Sequence, residues 1–168
     1  MNPTAGPDDT MTAITVAVQY GHAGDPDAAR DTLLDLWDTL GPLGDPLHRC
    51  TLAHYLADLY DDAAQALIWD VRALDAAGAL TDERTRRHHP TLRVRGFYPS
   101  LHLNLADNLR RLGSFEAADQ HLEAARGYFD ALGADPYGDR IRSAADEVAA
   151  AVCARSTQRR DSAPDGRS

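Results

Sequence analysis

A cysteine and a histidine near the middle of the chain have the spacing that chemistry on one helical face would need. Cys50 and His54 are four residues apart, so they lie on the same side of an α-helix. Such a pair can act as an imidazole-activated nucleophile or contribute to a metal site. The nucleophile lacks an evident oxyanion donor, and His48 lies well round the helix from the other two side chains. We therefore predict no catalytic residue, no metal and no cofactor, and we expect no enzyme.

Charge and motif content argue against two further function classes, general nucleic-acid binding and nucleotide binding. The net charge of −9 opposes general nucleic-acid affinity, because binding phosphates needs a positive field. No glycine-rich phosphate loop is present. The arginine-rich segment 81–98 is locally basic, which leaves a nucleic-acid patch with Phe97 and Tyr98 as stacking partners open as an alternative. The reading that we favour is that its arginines contact the protein's own aspartates, and we predict no nucleic-acid partner.

Length and composition indicate a single cytoplasmic domain. A chain of 168 residues suits one domain, and no apolar run approaches the length that crosses a bilayer. Cys50 and Cys153 are far apart and belong to no metal or redox motif, which fits a reducing compartment. We therefore predict a cytoplasmic protein with no membrane partner.

Helix start and stop signals divide the chain into paired helices. The dipeptides Asp25-Pro26, Asp45-Pro46 and Asp135-Pro136 each place an acceptor side chain at an N-cap and a proline at the first helical position. Left-handed C-caps are expected at Gly24, Gly41, Gly78, Gly113 and Gly133. The predicted helices cover residues 12–22, 26–39, 46–60, 63–77, 101–112, 115–132 and 137–154.

One spacing of small, turn and packing residues occurs twice. Ala17, Gly24, Ala29, Leu33 and Leu36 have the same intervals as Ala106, Gly113, Ala118, Leu122 and Ala125. Residues 104–118 resemble the consensus of the tetratricopeptide repeat almost throughout. The positions that carry this resemblance are Ala17, Gly24, Ala29, Ala57, Ala66, Ala106, Gly113, Phe115, Ala118 and Ala125. The chain also resembles small stand-alone tetratricopeptide repeat proteins of high-GC bacteria.

The resemblance implies an all-α fold, an antiparallel helix-pair repeat stack of the tetratricopeptide-like α-solenoid type. We expect about three helix pairs, at residues 12–40, 46–78 and 99–132, because single pairs cannot bury their apolar faces alone. An insertion at 79–98 separates the last two pairs, and residues 137–154 form a C-terminal capping helix. The repeat domain would span 11–155, flanked by a disordered N-terminus at 1–10 and a disordered tail at 156–168.

The first helices of the pairs would line a concave groove, which is where such stacks bind partners. Helical spacing from the packing alanines directs eight side chains into it: His54, Asp58, Asp61, Asp62, Leu103, Asp107, Arg110 and Arg111. Ile14 and Val18 would add an apolar end. We call this set the predicted groove, and its charges suit an extended or helical peptide with basic residues and an apolar anchor. A solvated helix face remains the alternative for any one of these residues.

The predicted function is that of a non-catalytic protein–protein interaction module, an adaptor that binds a peptide or protein partner in the predicted groove. The chain would be a monomer or a weak homodimer. Segment 81–89 is a candidate competitor that lies against the acidic part of the groove. The alternative function is a small-ligand or peptide sensor, with a cavity between segment 81–98 and the repeats.

Overall fold

The structure, a computed structural model, describes residues 8–161, and its regular elements are helices. The eight α-helices within these residues are α1 (Asp9–His22), α2 (Pro26–Leu40), α3 (Pro46–Asp58), α4 (Ala63–Gly78), α5 (Asp82–His88), α6 (Tyr98–Arg111), α7 (Phe115–Arg126) and α8 (Pro136–Cys153). Short 3-10 turns lie at Val94–Gly96 and Phe129–Ala131. The prediction of an all-helical chain is therefore confirmed for the part that the structure describes.

Three helix starts follow directly from local chemistry. Asp25, Asp45 and Asp135 each accept hydrogen bonds from backbone N–H groups of the first turn, and a proline follows each of them. Proline suits the first helical position because it has no backbone N–H that would be left unsatisfied there. These N-cap predictions are confirmed.

The helix ends agree with the glycine prediction only in part. Gly24, Gly41 and Gly113 adopt positive φ angles of 101°, 63° and 80°, which side chains with a Cβ rarely tolerate. Gly78 and Gly133 do not adopt a positive φ, so the prediction for them is wrong. Helix α4 ends instead in tight turns whose N–H groups donate three residues back, from Ala79 and Leu80.

Adjacent helices pack in pairs, and a last helix covers the end. Helix α1 packs on α2, α3 on α4 and α6 on α7, while α4 also contacts α6. Helix α8 packs on both α6 and α7, and its Ala145 and Val148 are fully buried against Leu122. The small residues that were expected between helices are all buried: Ala17, Ala29, Ala57, Ala66, Ala106, Ala118 and Ala125. Phe115 is buried as well.

The larger part of the core lies among α1 to α4. Trp37 of α2 meets Trp69 of α4 edge to face, with ring centroids 5.1 Å apart. Ile14 and Leu33 are fully buried in the same cluster. Ile14 therefore belongs to the core and not to an exposed apolar end of a groove, which corrects the prediction. Val18 is half-buried.

The structure describes part of each end that was predicted to be disordered. Helix α1 begins at Asp9 and is capped by the Asp8 carboxylate, so residues 8–10 are ordered, whereas residues 1–7 lie outside the described residues. At the other end, residues 156–161 lie against α6 and α8, although disorder was predicted from 156 onward. The rest of that predicted tail, 162–168, is not among the described residues. We call residues 156–161 the tail segment.

Candidate functional site

The predicted groove does not form a single surface. Leu103 is 4% exposed and belongs to the core cluster of Leu122 and Val148, so its outward assignment is wrong. The reason is that α4, α7 and α8 all pack on α6, which leaves this helix little free surface. Asp61 and Asp62 are exposed in the turn between α3 and α4. Asp62 accepts hydrogen bonds from the N–H groups that begin α4, so it is an N-cap.

Four of the predicted residues converge where α3, α4 and α6 meet: Asp58, Asp107, Arg110 and Arg111. Arg110 was expected to face solvent, but its side chain is fully buried. Its Nε and Nη2 donate to Oδ1 of Asp107, at 3.0 and 2.6 Å. Arg111 Nη2 donates to the backbone carbonyl of Asp61. At the basic end of the predicted groove, Arg110 therefore lies inside the protein, whereas Arg111 is half-buried.

The tail segment is what encloses Arg110. Nη1 of Arg110 donates to the carbonyl oxygens of Ser156 and Gln158, at 2.6 and 2.9 Å. Arg160 then reaches between two carboxylates, donating from Nε to Asp107 Oδ2 at 3.2 Å and from Nη1 to Glu147 Oε2 at 2.7 Å. The side chain of Arg160 is 12% exposed. A non-helical stretch of the chain thus lies on residues that were predicted to bind a peptide, and we call this set of contacts the tail site.

Behind the tail site lies a polar layer that the sequence analysis missed. Asn104 Nδ2 lies 3.4 Å from Asp58 Oδ1 and 3.5 Å from Asp70 Oδ1. Asn108 Nδ2 donates to Asp70 Oδ2 at 2.7 Å. A cavity of about 40 Å³ beside them is also lined by Arg111 and Arg160. The spacing of Asn104, Asn108 and Arg111 on one face of α6 was the available signal.

The two aspartates of this layer hold their protons more strongly than ordinary carboxyls do. Burial raises the pKa of Asp70 well above its usual value, and the neighbouring charge of Asp58 raises it further. Burial also raises the pKa of Asp58, although His54 and Asn104 oppose that shift. The layer therefore favours a neutral donor or a cation as its neighbour and disfavours an anion.

Asp70→Asn is expected to remove the loss of stability that ionisation of the buried Asp70 carboxyl causes at higher pH. The pKa of Asp70 is near 3.8 in the unfolded chain and higher in the folded protein. At pH values between these two pKa values, the folded state binds more protons than the unfolded state, so the free energy of unfolding falls as pH rises. The variant, followed by thermal unfolding from pH 4 to 8, should gain stability relative to wild type with rising pH. The matched control is Asp75→Asn, on an exposed position of the same helix. A wild-type-minus-variant difference that stays constant with pH would contradict this origin.

A second, larger cavity lies beside Cys50 and His54. It has a volume of about 670 Å³ and is bounded by α3, by residues 91–97, by the start of α6 and by residues 131–137. Burial raises the pKa of the Cys50 thiol to about 12, so at neutral pH this sulfur is the protonated, poorly nucleophilic form. Among the described residues, Nδ1 of His54 is buried without a hydrogen-bonding partner.

The basic segment contacts the protein's own carboxylates. Arg84 of α5 pairs with Asp45 at 2.6 Å and with Asp8 at 3.4 Å. Arg95 pairs with Asp130 at 3.0 Å. Segment 81–89 is thus held at the starts of α1 and α3, so the prediction that it lies against the acidic part of the groove is wrong. The chain lying on Asp107 is the tail segment.

The aromatic and histidine side chains near the basic segment are engaged within the fold. Tyr98 stacks on Tyr128, with centroids 4.8 Å apart. Nδ1 of His102 lies 2.9 Å from Nδ1 of His121, and burial lowers the pKa of both rings. Within residues 8–161, no group of three or more His, Cys, Asp and Glu side chains is arranged to hold a metal ion. None of the helices in the same range combines the length and apolar character needed to cross a bilayer.

Comparison with protein-family models, with curated proteins and with solved structures found no match.

Proposed function

We propose that the protein is a non-catalytic interaction module that binds an arginine-containing peptide of a partner protein at the tail site. The observation that carries this proposal is the way in which the tail segment is held. Arg110 binds two carbonyls that are two residues apart, those of Ser156 and Gln158. Arg110 thus recognises the main chain of the bound segment, and the arginine two residues further on supplies the side-chain contact.

The charges at the tail site select the peptide. Arg160 binds Asp107 and Glu147 at once, and charge-assisted bonds of a guanidinium to carboxylates are stronger than neutral ones. Asp58 and Asp70 add further carboxyls behind Asp107. A peptide with an acidic side chain in this position would be repelled, so the selected ligand carries arginine.

The tail segment acts as an internal competitor in this proposal. It is joined to the end of α8 by Ala154 and Arg155 alone, and such short connections give effective concentrations in the millimolar range. A partner peptide therefore binds only by displacing the tail segment. Weakening the tail's own contacts is expected to open the site.

We extend the proposal to the architecture and the cellular setting. The three packed helix pairs and the buried alanines between helices support a tetratricopeptide-like solenoid that is closed by α8. The protonated thiol of Cys50 supports a role without nucleophilic catalysis. Both cysteines are free, which is the state expected in a reducing cytoplasm.

Arg160→Ala tests the proposed peptide site. The variant loses the contacts to Asp107 and Glu147, so the tail segment is released more often. A labelled peptide with the sequence of residues 155–161 should then bind the full-length variant at least about tenfold more tightly than wild type, because the internal competitor is weakened. Titration of each protein with the peptide, followed by NMR chemical-shift changes, measures both affinities even where the dissociation constant is millimolar.

Two controls separate the tail site from general charge effects. Arg155→Ala removes the same charge from an exposed side chain that contacts Glu116, and it should bind the peptide as weakly as wild type. A peptide with alanine in place of Arg160 should not bind Arg160→Ala. Equal binding by both variants, or no binding of the intact peptide at millimolar concentration, would overturn the proposal.

A further inference from the structure

Arg160 binds two carboxylates that belong to different helices. Its Nε donates to Oδ2 of Asp107 on α6 at 3.2 Å, and its Nη1 donates to Oε2 of Glu147 on α8 at 2.7 Å. The side chains of Arg160 and Asp107 are each 12% exposed, whereas that of Glu147 is 45% exposed. One guanidinium group thus bridges α6 and α8 through two of its nitrogens.

Asp107 is held from its other side by a second guanidinium group. Oδ1 of Asp107 accepts hydrogen bonds from Nε and Nη2 of Arg110, whereas Oδ2 accepts the bond from Arg160. Arg110 is fully buried in the fold. The position of the carboxylate that meets Arg160 is therefore set by α6 itself and not by the tail segment.

A lysine at the position of Arg160 cannot reproduce these two contacts. Its ammonium group is a single nitrogen, and Nζ of lysine lies one bond closer to the backbone than Nη1 of arginine. The ammonium is also more strongly hydrated than a guanidinium. Placing it where the Arg160 side chain is nearly buried therefore costs more hydration free energy.

The neighbouring arginine of the tail segment lies in a different environment. Nη1 of Arg159 lies 4.0 Å from Oδ1 of Asp61, and the two side chains are 35% and 89% exposed. A long contact between exposed charges depends on the sign of the charge more than on the geometry of the donor. Lysine suits this position as well as arginine does.

We propose that the tail site selects arginine over lysine at the position of Arg160, and that Glu147 is the residue that determines this specificity. The partner peptide carries an arginine at that position, whereas the position before it accepts either basic residue. This inference rests on the proposed function, because it names the peptide chemistry that the same site recognises.

Three peptides of residues 155–161 test the selection: the native sequence, an Arg160→Lys peptide and an Arg159→Lys peptide. Each is titrated into the full-length Arg160→Ala protein and followed by NMR chemical-shift changes. The Arg160→Lys peptide should bind at least about tenfold more weakly than the native peptide, the order of one hydrogen bond to a charged group. The Arg159→Lys peptide should bind within about twofold of the native one. Equal binding of the native and Arg160→Lys peptides would overturn the proposal.

Glu147→Ala, made in the Arg160→Ala protein, tests the role of Glu147. The preference for the native peptide over the Arg160→Lys peptide should fall to about threefold or less, because only one carboxylate remains for the second nitrogen to lose. Asp146→Ala in the same background is the matched control, since Asp146 is 82% exposed and lies 3.7 Å from Arg126. It should keep the full preference. A preference that survives Glu147→Ala would overturn the assignment of specificity to this residue.

A second measurement uses the intact chain and no added peptide. Arg160→Lys should loosen the tail segment as much as Arg160→Ala does, whereas Arg159→Lys should leave it as ordered as in wild type. The heteronuclear NOE of the backbone amides of residues 156–161 reports this order on the picosecond-to-nanosecond timescale. If no peptide binds but Arg160→Lys loosens the tail segment, the selection of arginine stands and the proposed partner binding is wrong. If Arg160→Lys holds the tail segment as wild type does, the selection of arginine is wrong.

Discussion

Replacing Arg110 by alanine is expected to lower the free energy of unfolding by about 3–5 kcal/mol, the cost of removing one partner from a buried ion pair. The Arg110 side chain is fully buried and makes hydrogen bonds to Asp107, Ser156 and Gln158. Without it, two carbonyl groups lose their donor, and the Asp107 carboxylate loses the guanidinium that bonds its Oδ1. Chemical denaturation of the variant and of wild type measures the loss.

Arg126→Ala is the matched control for this prediction. Arg126 also pairs with an acidic residue three positions earlier, Glu123 at 2.9 Å, but its side chain is 38% exposed. An exposed pair of this kind contributes about 1 kcal/mol or less. The two variants should therefore differ by at least about 2 kcal/mol. A loss for Arg110→Ala that is no larger than the loss for the control would contradict the buried tail site.

Ala106→Leu is the second change with a large expected effect, a loss of about 1–3 kcal/mol from overpacking. Ala106 is fully buried between α6 and its neighbours, in the cluster that contains Leu122 and Val148. Extra methylene groups there force the helices apart or push side chains off their rotamers. Thermal or denaturant unfolding measures the change, with Ala64→Leu, on an exposed position of α4, as the control.

The cause of that loss can be tested by exchanging sizes within the cluster. Leu122→Ala alone should cost about 2–5 kcal/mol because it leaves a cavity. The double variant Ala106→Leu/Leu122→Ala keeps the total volume, so it should be less destabilised than the sum of the two single changes. Strict additivity would mean that the two side chains do not share one packing site.

The features that the sequence predicted correctly are those decided within a few residues. An aspartate before a proline caps a helix regardless of what packs later, and Asp25, Asp45 and Asp135 all do so. Helix signals likewise predicted a helix at 137–154, which is α8 in the structure. Neither inference needs to know which helices become neighbours.

The errors concern residues whose surroundings depend on distant parts of the chain. Leu103 lies on a face of α6 that periodicity alone left free, but α8 covers it. Residues 156–161 contain nothing apolar to bury, which is the composition of a disordered tail. These residues are held by Arg110, Asp107 and Glu147. No local sequence pattern in the tail segment predicts those hydrogen bonds.

The polar layer behind the tail site was missed for the same reason. Asp70 stands in the middle of an alanine-rich helix, where an isolated aspartate normally faces solvent. Packing of α4 on α6 buries it completely against Asn108. Only the pairing of these two helices, which periodicity cannot assign, makes this residue part of the site.

The most direct test of the central claim is a solved structure of full-length Arg160→Ala with a saturating concentration of the peptide of residues 155–161. The account predicts that the peptide replaces the chain's own tail segment. The third arginine of the peptide, which corresponds to Arg160, should lie between Asp107 and Glu147, and two of the peptide's carbonyls should accept hydrogen bonds from Arg110. A peptide bound elsewhere, or a tail segment that stays on Arg110 while the peptide is excluded, would contradict the account.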